Sequence, residues 1–242
     1  MSSEAPPGSE QSGETSRIGK VMATMSKATP IAGGVLRRML ELAIDGVPVA
    51  GTTGLPSAKH SASWHLQRTG RVDTAIDNLI TSHIAMAGAQ GFVTNLGGLL
   101  AMPVTLPANV TGSLTIQTRL IAAIAHLRGY DLDDNRVRTA IVMCLLGGDE
   151  VARRIHNGQL PTSPMAVATA PVFDPELDAA VAKEVLFAVM ARIGGKGLSI
   201  TVTKRIPILG GGVGAVVDGW ATRQLGAYAR EELRARNLAE HR

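Results

Sequence analysis

Apolar residues recur at helical spacing along most of this chain, and alternation of strand type is confined to one short stretch. Between Arg17 and Asp45, the breaks Ala28-Thr29-Pro30 and Gly33-Gly34 leave two short helical pieces. The second sets Val35, Leu36, Met39, Leu40, Ala43 and Ile44 on one side and Arg37, Arg38, Glu41 and Asp45 on the other, the spacing of a helix packed on a core. Residues 47–56 are rich in Gly, Thr and Pro and predict a loop. Further on, Asp131, Asp133 and Asp134 offer N-cap carboxylates to a helix with Val137, Ile141, Val142, Leu145 and Leu146 inward, expected to end at Gly147-Gly148. Residues 156–171 read as loop. Asp174-Pro175-Glu176 then supplies a cap, a first-turn proline and an early acid to a helix carrying Leu177, Val181, Val185, Leu186 and Val189, with Gly194-Gly195 as its expected stop. Residues 199–206 have β-branched character. The segment from Pro207 through the glycines at 210–214 leads into a final helix that ends in a charged run, where Glu232 and Arg236 have helix-supporting spacing.

From Asn78 to Thr118 there is no Asp, Glu, Lys or Arg: 41 residues in which His83 is the only titratable side chain. The run predicts a helical hairpin, with one helix ending near Ala101, a turn at Met102–Pro107, and a second helix from about Ala108 to Leu127. Its length would allow two membrane crossings at about 20 residues each. Asn95, Gln90, the Ser and Thr residues and the glycines would be costly in lipid unless neighbouring helices satisfied them. A buried hairpin and a membrane-inserted one therefore both stay open. Ala87, Gly88, Gly91, Gly97 and Gly98 would let another helix approach closely. The fold class is all-α: a helical bundle with a long apolar Gly/Ala-rich hairpin.

Composition sharpens this picture. Thirty-three Ala and 27 Gly make 60 of 242 residues nearly free of side chain, against seven aromatics, so the core must come from close-packed helices. So few aromatic planes disfavour nucleic-acid binding by base stacking, and a net charge of +4 leans only weakly toward acidic partners such as anionic lipid. Residues 1–16 carry Glu4, Glu10 and Glu14 in a Ser/Gly/Pro-rich context, expected to be a disordered acidic tail ahead of a single α-helical domain over 17–242. No basic and apolar leader pattern is present, which makes the cytoplasm the expected compartment.

Chemistry is harder to find. Gly210-x-Gly212-x-x-Ala215 is a degenerate dinucleotide-binding pattern without the acidic partner that motif needs, and Gly194-Gly195-Lys196-Gly197 lacks phosphate-loop spacing and reads as a helix C-cap. Asp131, Asp133 and Asp134 lack the glycine and glutamate of a calcium loop. The six histidines form no i, i+4 pair, and the single Cys144 sits in an apolar run as a small hydrophobe. No catalytic residue, metal or cofactor is expected. Asp73 and Asp77 share a helix face, where carboxylates are ordinarily solvated. Three residues remain as candidate ligand contacts: His83 inside the uncharged run, and Gln117 and Arg119 at its far end, each with a core or capping role as the alternative.

The ordered set Gly91-Phe92, Leu96-Gly97-Gly98, Pro103–Pro107, Ile116-Gln117-x-Arg119, Ile124-Ala125, Gly129-Tyr130-Asp131, Lys204-x-x-Pro207 and Gly212-x-Gly214-Ala215 resembles the EcsC family over roughly Thr74 to Glu232. The resemblance implies a bacterial, α-helical, hydrophobic protein associated with the membrane, and it carries no catalytic residues. The expected function is therefore a non-enzymatic helical protein at the cytoplasmic face of the inner membrane, peripheral or inserted, touching lipid through its apolar hairpin. The alternatives are a soluble carrier of a lipid or other apolar small molecule anchored by His83, Gln117 and Arg119, and an enzyme of unassigned class. A membrane-protein partner is compatible with the first, and the oligomeric state is left open.

Overall fold

The computed structural model describes residues 36–46, 55–96, 102–199 and 207–234. The acidic tail, the first helical piece, residues 47–54 of the expected loop, the expected end of the first hairpin helix at 97–101, residues 200–206 of the β-branched stretch and Arg236 lie outside them. Within the described residues the protein is all-helical: α1 (36–45), α2 (Ala58–Thr69), α3 (Val72–Leu96), α4 (Met102–Leu127), α5 (Asn135–Cys144), α6 (Gly148–His156), α7 (Pro164–Ala168), α8 (Pro175–Ser199) and α9 (Pro207–Glu232).

Local signals set several of these boundaries. The Ser57 hydroxyl accepts from the His60 amide at 3.0 Å to start α2, and Gly70, with φ +66°, closes it in the left-handed conformation. Asp134 caps α5 by accepting from the Arg136 amide at 2.9 Å, and Asp174 caps α8 by accepting from the amides of Glu176 and Leu177. The inward positions read from periodicity on α1 and α5 are buried, Val35 lying outside the described residues.

Elsewhere the helices depart from the expected boundaries. Helix α4 begins at Met102, so both prolines of the expected turn lie inside it. Pro103 falls in the first turn, where backbone amides have no helical acceptor, and Pro107 forfeits only one helical hydrogen bond. Helix α8 runs through Gly194 and Gly195 to Ser199, and α9 contains all of Gly210–Gly214. A glycine stops a helix by taking positive φ, and none of these does. The expected loop over 156–171 holds the short α7, started by Ser163 and Pro164, and α6 fills the stretch between that loop and the expected helix end at Gly147-Gly148.

Helix α3 is the centre of the assembly, flanked by α2, α4 and α9. Helix α9 lies antiparallel along it, close enough that a Cβ on Gly226 would stand 2.9 Å from Ile80 Cγ1, one on Gly219 3.4 Å from Ile84 Cγ2, and one on Gly88 3.6 Å from the Ala215 carbonyl oxygen. Arg230 extends the same register by pairing with Asp77. Gly88 of the uncharged run thus meets Ala215 of α9, while Gly219 and Gly226 of α9 make room for Ile84 and Ile80. In this arrangement Ile76, Leu79, His83, Ala87 and Leu114 to Leu120 are buried within the bundle. Among the described residues no helix is long and apolar enough to cross a membrane.

Candidate functional site

Among the described residues two arginines are buried in the bundle, and the fold treats them differently. Arg154 of α6, 3% exposed, donates from Nε to Glu150 at 2.6 Å and pairs through Nη1 with Glu184 of α8. Arg119 of α4 is equally buried at 3%, yet its Nε and Nη1 have no hydrogen-bond partner and no carboxylate pairs with it. A guanidinium stays charged at any ordinary pH, and burial without a counter-ion is costly. Burial holds its pKa below the usual arginine value.

Facing the same interior is His83 of α3, with no exposed surface. Its Nδ1 lies 2.8 Å from the carbonyl oxygen of Leu79 one turn back, while its Nε2 is buried with no partner. Burial is the main reason that the ring titrates at about 4 rather than 6.5; the Leu79 bond opposes this, and the charges of Arg119 and His65 reinforce it.

His65, on α2, is the member of this cluster that sequence spacing gave no reason to choose. It too is buried, and burial, Arg68 and Arg119 lower its pKa in that order. It also lines an open groove of about 380 Å³ between α2 and α3, with Trp64, Arg68, Asn78, Thr81 and Ser82. The Arg68 guanidinium sits 4.7 Å from the centre of the Trp64 ring, and that ring meets His65 edge-on. His65 therefore lines the groove and is also near enough to His83 and Arg119 for their charges to act on one another. Three helices supply the cluster: α2 gives His65, α3 His83 and α4 Arg119.

No family model, curated protein or solved structure matches the chain. The site is consequently read from its own chemistry.

Of the three residues singled out by sequence, His83 and Arg119 come together. Gln117 does not join them: two positions along a helix rotate a side chain by about 200°, and its amide donates to Ser113 Oγ at 3.5 Å on its own helix. The remaining candidates have structural roles. Asp73 accepts from Arg128 at 3.0 Å and Asp77 from Arg230, which tie α3 to α4 and α9. Asp131 accepts from the Asp133 amide, and Asp133 pairs with Lys59 at 2.8 Å. Burial pushes the Cys144 thiol far up, away from the reactive thiolate. Gly210–Gly214 lie within a helix, leaving no loop there to cradle a pyrophosphate. Among the described residues no three His, Cys, Asp or Glu side chains converge on one point.

Proposed function

We propose that this is a non-enzymatic helical protein that binds a lipid or another apolar small molecule carrying an acidic headgroup. The observation that supports it is the unpaired Arg119, buried beside an unpartnered His83 Nε2 in a fold that gives its other buried arginine two glutamates. An acidic headgroup would supply the hydrogen-bond acceptor that Arg119 lacks, and the groove beside Trp64 and His65 would be its way in. Membership of the EcsC family belongs to the same proposal and rests on the ordered motifs alone. The test is organic extraction and mass spectrometry of protein purified without detergent, comparing wild type with Arg119→Met. An acidic amphiphile is expected with the wild type and not with the variant. Wild-type protein that neither carries nor takes up any acidic amphiphile would overturn the reading.

We further infer that the protein works at the inner face of the cytoplasmic membrane. What supports this is an apolar face on α9, where Val216 is 72% and Trp220 62% exposed, with Val217 beside them and Arg223 one turn on. Flotation with anionic liposomes is expected to survive low but not high salt if Arg223 dominates, and to survive both if Trp220 inserts. Protein that stays at the bottom in every condition would sink this part.

A further inference from the structure

The two unpartnered groups at the centre of the bundle have opposite hydrogen-bonding character. The Leu79 carbonyl oxygen can only accept, so His83 Nδ1 carries the hydrogen and donates to it at 2.8 Å. In the neutral ring Nε2 is then an acceptor with an open lone pair. The guanidinium of Arg119 has only N–H groups to offer and is a donor. A fully ionised oxyanion without hydrogen, such as a phosphodiester, would satisfy Arg119 but set its own lone pairs against that of Nε2. A headgroup with one O–H and one bare oxygen satisfies both, the O–H donating to Nε2 and the bare oxygen accepting from Arg119. Carboxylic acids and monoprotonated phosphomonoesters have this form.

The surroundings keep the ring in its acceptor state. Arg119 on α4 and His65 on α2 are the groups whose charges act on His83, and both oppose a second positive charge. Arg68, further out on α2, acts on His65 in the same sense. Along the part of α9 that packs on α3, Arg230 is held by Asp77, and Asp218 has a partner. Among the described residues no carboxylate is bonded to His83 or Arg119 that could draw a proton onto the imidazole.

We propose that the His83–Arg119 site selects a singly protonated oxyacid headgroup, so that one proton enters the protein with each molecule of ionised acid bound. The proposal rests on the reading above that an acidic amphiphile is held at Arg119. Its balance is simple: a carboxylate and a solvent proton go in, and the complex holds the acid hydrogen between the carboxyl oxygen and Nε2. A phosphomonoester dianion takes one proton in the same way, and its monoanion brings its own.

Titration calorimetry of the full chain tests this with three soluble amphiphiles: a medium-chain fatty acid, a short-chain phosphatidic acid and a short-chain phosphatidylmethanol, whose headgroup has no O–H. Each is run in two buffers of different ionisation enthalpy at about pH 7, to count protons. The fatty acid is expected to bind with uptake of about one proton and to weaken about tenfold per pH unit as pH rises. Phosphatidic acid binding instead of, or beside, the fatty acid identifies the source of the headgroup. Phosphatidylmethanol, a diester, is expected to bind at least about tenfold more weakly, the cost of one acceptor left facing another. His83→Phe should abolish proton uptake and the preference over the diester, and His83→Asn, which keeps a donor for Leu79, checks the same loss in a second background. Fatty-acid binding without proton uptake, or equal affinity for the diester, overturns this proposal while leaving the broader reading intact. Failure of all three amphiphiles to bind overturns both.

Discussion

Replacing His83 by leucine should change how stability responds to acid, by an amount that follows from the site. The folded ring titrates at about 4 and a histidine in an unfolded chain at 6.5, so as pH falls the unfolded chain takes up the proton first. Stability from the neutral buried ring is fully present above the unfolded value and is lost as pH falls from there toward the folded one. The whole difference corresponds to about 3 kcal/mol, and about 2 kcal/mol of it is lost between about pH 7 and about pH 5. That is a large share of the roughly 5–15 kcal/mol by which domains are ordinarily stable. His65 and His126, whose pKa values are also lowered chiefly by burial, pull in the same direction in wild type and variant alike. The assay is therefore a comparison of urea unfolding at the two pH values in both proteins. Wild type is expected to lose about 2 kcal/mol more than His83→Leu over this interval. Equal losses would mean that the ring is hydrated or charged in the folded protein, and the reasoning that makes Nε2 an open acceptor would fall with it.

Arg119→Met removes an uncompensated charge and fills its space with an apolar chain, so urea unfolding at neutral pH should show a gain of about 1–3 kcal/mol; a loss would reveal a counter-charge in the folded protein. Glu184→Ala should act in the opposite direction, costing about 1–3 kcal/mol by leaving the buried Arg154 with Glu150 alone, and the same assay would expose a structurally idle pair as no change. Gly46→Ala meets two obstacles, φ of +91° and a new Cβ only 2.7 Å from the Leu55 carbonyl oxygen. It is expected to cost about 2 kcal/mol or more, and a variant melting with the wild type would refute that strain.

Sequence periodicity carried much of the fold because burial on a helix is a local, repeating property. The apolar faces of α1 and α5, and the caps Asp134 and Asp174, depend on neighbours within a turn or two and could be read without knowing what they pack against. The prolines at 103 and 107 and the glycines at 194–195 and 210–214 could not be placed that way. Their intrinsic preference is against a helix interior by about 1 kcal/mol for glycine and about 3 for proline, and yet each lies within a helix. Further along α9, at Gly219 and Gly226, the missing side chains let α3 and α9 come together over Ile84 and Ile80.

The site divides along the same line. The sequence by itself determined that His83 stands alone in 41 uncharged residues and that Arg119 follows directly after them, so burial of an ionisable group near the core was legible. Only the tertiary structure decided which groups meet, because pairing depends on helices distant in sequence. It brought Glu184 on α8 to Arg154 and left Arg119 without an acid. It turned Gln117 to Ser113, and carried His65 in from α2 to the wall of an open groove, near His83 and Arg119. A counter-charge is a property of neighbouring helices rather than of any one of them, and its absence at Arg119 exists only once the bundle is folded.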